Sequence, residues 1–275
     1  MKNAVKWLTL LYILLILILS LAGSVSGIFS GVAEILAYAI PVVIGYLYSR
    51  RLRREREAVA GVAENEKTLF SARGMFAYVP LFIPTVTLVF VVAWVTSLLL
   101  ALLGKSPSAI PDAPILEMLA VHALVPAVLE ELAFRYLPIK LLAPYSRRWC
   151  VILSAMFFAL AHLSLFQMPY ALIAGVIFIM IDLACESVIP SMLLHFLNNA
   201  ISVLWIKWGA DPGFALWFIV ALSALSIISL ALAFFKRRTY ISAVRHSLEA
   251  GEGIGDAYAP TVFAVATLAL ALLNL

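Results

Sequence analysis

Long apolar runs separated by short polar or basic breaks fill the chain from end to end. Those long enough to cross a bilayer, or nearly so, are Val5 to Ala22, Ile28 to Tyr48, Met75 to Leu103, Ile115 to Leu142, Trp149 to Leu165, Met168 to Ser187, Val188 to Ile206, Gly213 to Phe235 and Tyr258 to Leu275. Hydrocarbon offers the backbone no water to bond, so such runs read as helices. The expected fold is therefore all-α, a polytopic transmembrane helix bundle of about 8–9 spans. The count is left open because the fifth to seventh runs are short and closely joined, which allows one to be re-entrant. The first run begins with Lys2 and Lys6, as a signal peptide would, but another apolar run follows at once and no small-residue cleavage site stands out. It reads as a retained helix.

Composition narrows the class. With 64% hydrophobic and 12% charged residues and a mean hydropathy of +1.06, the chain is too apolar for a soluble domain. The two cysteines, Cys150 and Cys185, lie in or beside apolar runs and supply no disulfide or metal framework. The net charge of +4 is modest, and the basic residues gather at the ends of runs rather than on one face, so nucleic acid is not the expected partner. With the N-terminus in the cytoplasm, every Lys and Arg except Lys105, Lys207 and Arg135 falls in a cytoplasmic segment. Those segments include the cluster Arg50 to Arg56 with Lys67 and Arg73, read as a topology anchor in a basic loop. The chain divides into N-terminal helices with this loop (1–114), a central region carrying the candidate chemistry (115–206) and C-terminal helices (207–275).

That chemistry starts at Glu130, Glu131 and Arg135, ionisable groups inside the fourth run. Intramembrane charges are costly, and their presence points to function. Glu131 and Arg135 are one helical turn apart and can pair. Glu130 points about 100° away and stays uncommitted. Pro126 deprives the carbonyl of His122 of its helix partner, so a kink is expected one turn before the carboxylates. Phe158 with His162, and His195 with Asn199, are further one-turn pairs on the fifth and seventh spans. At about 1.5 Å per residue from the cytoplasmic ends, Glu130, His162, Asn199 and His195 lie about 18, 20, 16 and 10 Å deep. They can share one layer, with a catalytic cavity formed by the fourth, fifth and seventh spans. His122 and His246 have no such company and read as structural.

As EExxxR, FxxxH and HxxxN, these residues resemble, in order and on successive spans, the motifs of the CAAX protease and bacteriocin-processing (CPBP) intramembrane protease family, which includes the Ras-converting CAAX endoprotease. The resemblance covers about Ile115 to Ile206. It implies an intramembrane endopeptidase that cuts near the cytoplasmic side, acting on a peptide or on the C-terminus of a prenylated protein. It implies a multi-pass protein of the cell membrane in a prokaryote or of the endoplasmic reticulum in a eukaryote. On this reading Glu130, with His162, activates a water, and His195 and Asn199 stabilise the oxyanion. Glu131, Arg135 and Phe158 are supporting residues, and no cofactor is required. An alternative makes Glu130, His162 and His195 zinc ligands, against which stands the absence of HExxH. Two other classes stay open. Glu34, Asp182 and Glu186 are further acids at or within spans, as in a transporter, and an idle family member could act as a scaffold.

Overall fold

The computed structural model describes residues 1–22, 28–61, 69–72, 74–106, 113–249, 251, 253 and 258–273. Lys67, Arg73 and the last two residues of the ninth run lie outside the described residues. Among the described residues every regular element is helical: α1 (Lys2–Ala22), α2 (Ile28–Ala60), α3 (Phe82–Leu102), α4 (Ile115–Leu119), α5 (Val125–Glu131), α6 (Leu137–Leu141), α7 (Arg147–Ala161), α8 (Met168–Cys185), α9 (Ile189–Trp208), α10 (Pro212–Phe235), α11 (Arg237–Ser247) and α12 (Tyr258–Leu273). Two π-turns, Ala120–Leu124 and Leu132–Tyr136, join α4, α5 and α6 into one rod, and short 3-10 turns lead into α3. Among the described residues six helices, α1, α2, α3, α8, α9 and α10, are long and apolar enough to cross a membrane by themselves, and Pro260–Leu272 within α12 is a shorter apolar helix. The protein is a polytopic helical bundle. Large apolar side chains such as Trp94, Leu99, Trp217 and Ile227 point outward, as lipid rather than water requires.

Two packed cores share α8. One holds Leu8, Tyr12 and Leu15 of α1, Phe134 and Leu137 of the rod, Phe157 of α7 and Ile179 of α8. The other holds Phe82 and Val86 of α3, Phe178 of α8 and Leu194 of α9. Gly175 permits the α7–α8 approach, since a Cβ there would lie 2.9 Å from Ala155 Cα. Thr87 and Ser226 hydroxyls meet at 2.6 Å and tie α3 to α10 through an apolar layer.

Local chemistry sets several boundaries away from the hydropathy edges. α2 runs to Ala60 rather than stopping near Tyr48. The Arg run continues the helix, with Arg51 bonded to Glu55 at 2.9 Å one turn on. The part of the expected basic loop up to Ala60 is therefore helical. α7 ends at Ala161 with His162 as its C-cap, short of Leu165, and Leu163 takes a positive φ of 49°. α8 ends at Cys185, and Glu186 adopts a left-handed φ of 50°. The Ser187 N–H then returns to the Asp182 carbonyl at 3.1 Å, a C-terminal closure that turns the chain into α9 within three residues.

Candidate active site

The rod is bent in hydrogen bonding where its prolines fall. Pro126 and Pro138 each follow a π-turn by two positions. In the second turn the Leu137 N–H bonds Leu132 O rather than Ala133 O, and Pro138 has no N–H for Phe134 O. Both released carbonyls are taken up by other helices. The Tyr12 hydroxyl of α1 donates to Ala133 O at 2.8 Å, and Ser154 Oγ of α7 donates to Phe134 O. This turn carries Arg135 inward with no exposed surface.

Arg135 Nε lies 3.2 Å from Glu131 Oε2, and both side chains are fully buried. The guanidinium also sits 4.1 Å from the Phe158 ring centre and 5.4 Å from that of Phe178, so two aromatic faces flank the cation. Phe158 is the hub of the cluster. Its ring meets His162 edge-on at 5.0 Å and His195 at 5.7 Å.

The two adjacent glutamates differ in access, Glu130 with 16% of its side chain exposed and Glu131 with none. His195 of α9 stands between them. Its Nδ1 is 2.7 Å from Glu131 Oε1, a contact with an acceptor-only carboxylate that fixes Nδ1 as the donor. Its Nε2 is 3.8 Å from Glu130 Oε2. His162 Nδ1 lies 2.8 Å from the Phe158 carbonyl, so Nδ1–H donates and a neutral ring keeps its lone pair on Nε2. Glu130 is within electrostatic reach of His162, Tyr170 and Glu34. Asn199, half-buried, accepts from Asn198 Nδ2 at 3.2 Å; among the described residues it makes no hydrogen bond to Glu130, His162 or His195.

Three neighbours escaped the sequence reading of this site. Tyr38 of α2 donates to Glu130 Oε1 at 3.4 Å, so α2 joins the fourth, fifth and seventh spans around the carboxylates. Phe178 of α8 packs on Arg135 and lies 6.1 Å from His195 between ring centres. Asp182, also on α8, is fully buried, and its Oδ1 accepts from the Ser191 N–H at 3.1 Å. It is therefore an interior group, and the turn at Glu186 separates it from that exposed acid, so the two do not share a helix face. The available signal was an acid in a span without a cation one turn away.

Among the described residues, no three His, Cys, Asp or Glu side chains are grouped as a metal site. Glu131 engages His195 Nδ1, which leaves Nε2 as the ring nitrogen that faces Glu130.

Residues 112–201 match the family model Rce1-like, described as type II CAAX prenyl endopeptidase Rce1-like. The matched segment contains Glu130, Glu131, Arg135, Phe158, His162, His195 and Asn199. No curated protein and no solved structure shows a significant match to the chain.

Proposed function

We propose, from the premise that residues 112–201 are a CAAX protease family region, that this protein is an intramembrane endopeptidase of CAAX type. Its substrate is the C-terminal segment of a prenylated or membrane-associated protein, cut near the cytoplasmic side of the membrane. The observation that carries the reading is the approach of His195 to both glutamates, 2.7 Å from Glu131 and 3.8 Å from Glu130. Two motifs about 60 residues apart in sequence thus meet in one buried cluster.

In the mechanism, Glu130 is the group that touches the reacting water. Its carboxylate takes a proton as the water oxygen attacks the scissile carbonyl, and His162 Nε2 accepts the water's other hydrogen bond. The same proton passes from Glu130 to the departing amine as the C–N bond breaks. His195 donates from Nε2 to the oxyanion while its Nδ1–H stays on Glu131, and Asn199 adds a second donor after turning from Asn198. Loss of one such donor typically costs about 100- to 1000-fold in rate. Glu131 and Arg135 hold His195 in place, and Phe158 holds both Arg135 and His162.

The test is cleavage of a farnesylated CAAX peptide and its unmodified twin by detergent-purified protein, with and without chelator. Wild-type protein is expected to cut the farnesylated peptide in both conditions. Glu130→Gln, His162→Ala and His195→Ala are each expected to lose at least about 100-fold in kcat while melting as cooperatively as wild type. Wild-type turnover by Glu130→Gln sinks the assignment, and chelator-sensitive turnover sinks its metal-free form.

A further inference from the structure

A cavity of about 450 Å³ lies between α3, α8, α10 and α11, a volume in the range of ligand sites. On α8 it is lined by Ile177, Met180 and Ile181, whereas Phe178 and Asp182 of the same helix face the carboxylate cluster. At 100° per residue these are different faces of one helix, so the cavity is separate from the proposed catalytic site. From Tyr78 and Tyr240 at one end it extends along α3 to Leu88, about 10 Å further into the bundle at helical rise.

The end of the cavity is roofed by α11, and that helix has two faces. Tyr240, Ala243 and Val244 line the cavity, and the Tyr240 hydroxyl donates to Ala77 O at 2.9 Å, pinning the roof to the turns before α3. Lys236 and Arg237, at the α10–α11 junction, are exposed within about 60° of the cavity face, whereas the exposed Arg238 and Arg245 lie on the opposite, outer face. Among the described residues neither Lys236 nor Arg237 is paired with a carboxylate, and Arg237 donates to Phe234 O at 3.2 Å. Apolar walls rimmed by tyrosines, with two cations beside the rim that no carboxylate neutralises, match the two ends of one kind of molecule. We propose that this cavity binds one acyl chain of an anionic phospholipid, whose headgroup is held by Lys236 and Arg237 at the α10–α11 junction. A free phosphate matches only the cations, and a zwitterionic lipid only the cavity. The site stands whether or not the chain is a protease.

The experiment is a thermal-shift titration of the full-length protein in detergent with dioleoyl phosphatidylglycerol, dioleoyl phosphatidylcholine or glycerol phosphate. Phosphatidylglycerol is expected to give a saturable rise in melting temperature at about tenfold lower concentration than phosphatidylcholine. Glycerol phosphate should give none. Ala243→Trp, which fills the cavity, should remove the saturable rise. The double change Lys236→Gln and Arg237→Gln should bring phosphatidylglycerol to the phosphatidylcholine midpoint and leave the rise itself. Should Ala243→Trp fail to fold, Leu88→Trp fills the inner end. Equal midpoints in the wild type, a full response in the filled variant or a response to glycerol phosphate would each overturn the proposal. So would displacement of the lipid by a farnesylated peptide, which would give the cavity to the substrate.

Discussion

Arg135 is the residue on which the cluster turns, because among the described residues it is the guanidinium set among three carboxylates. Glu131 touches it at 3.2 Å, Asp182 is within its electrostatic reach, and Glu130 lies one residue from Glu131. Breaking a buried pair costs about 3–5 kcal/mol, more than the pair itself contributes, because the surviving charge is stranded. The flat guanidinium also uses the Phe158 and Phe178 rings, which an ammonium cannot stack against in the same way. Arg135→Lys is therefore expected to lower stability by about 1–3 kcal/mol and to reduce cleavage more than tenfold. Denaturant melts and peptide turnover check both, and wild-type behaviour in both would remove Arg135 from its central position. Asp182 acts one step further out. Its carboxylate binds an otherwise unpaired N–H in the first turn of α9, one turn before His195. Asp182→Ala should cost about 0.5–2 kcal/mol, as loss of a helix cap does. It should also lower kcat with KM little changed, whereas Asp182→Asn retains the accepting oxygen and most of the activity. A parallel loss in both variants would mean that charge, not position, is what Asp182 supplies. The one-turn spacing made the Glu131–Arg135 pair legible in the sequence. Asp182 and Tyr38 were not, since a tight turn and a distant helix bring them in, and neither leaves a periodic trace.

At the scale of elements, the π-turns convert a proline into a means of holding two helices to the rod. The expected kink at Pro126 takes the form of a π-turn ending with the Val125 N–H on Ala120 O, and Pro138 repeats the device where Arg135 is presented. The carbonyls freed there are bonded by Tyr12 and Ser154. A carbonyl left without a donor in such surroundings costs about 1–3 kcal/mol. Intramembrane hydrogen bonds measured in pairs average about 0.6 kcal/mol, since the unfolded chain also finds partners. Tyr12→Phe and Ser154→Ala are accordingly expected to cost about 0.6–2 kcal/mol each and to lower cleavage several-fold by loosening the turn under Arg135. Refolding equilibria in mixed detergent read the first effect, and unchanged stability in both variants would show that water serves these carbonyls as well. Hydropathy located the helices because it reports where lipid lies. It missed the run of α2 to Ala60, the end of α7 at Ala161 and the left-handed closure at Glu186, because those boundaries follow hydrogen bonding and ion pairs rather than apolarity.

At the scale of the molecule, the contacts themselves sort the helix ends into two layers. On one side, Arg147 at the start of α7 donates to Leu183 O near the end of α8 at 3.4 Å. The Val188 N–H opening α9 meets Leu69 O at 2.8 Å, and Tyr240 of α11 meets Ala77 before α3. The basic groups of residues 147–148 and 236–245 belong to this layer. The opposite layer joins Lys207 at the end of α9 to Ala113 O before the rod at 3.1 Å, and Lys105 follows α3 towards it. Lys and Arg in short loops are retained on the cytoplasmic side during insertion, so the first layer is expected to be cytoplasmic and the second external. Single cysteines test this in a background with Cys150→Ala and Cys185→Ala. In intact cells Lys105→Cys should react with a membrane-impermeant maleimide, whereas Arg238→Cys should react only after permeabilisation. The reverse pattern would invert the molecule. Because Glu130 lies nearer to the α6 end of the rod than to α4, inversion would also move the expected cut to the external half of the bilayer. A cytoplasmic prenylated C-terminus could not then be the substrate, and the topology measurement therefore constrains substrate class before any peptide is tried.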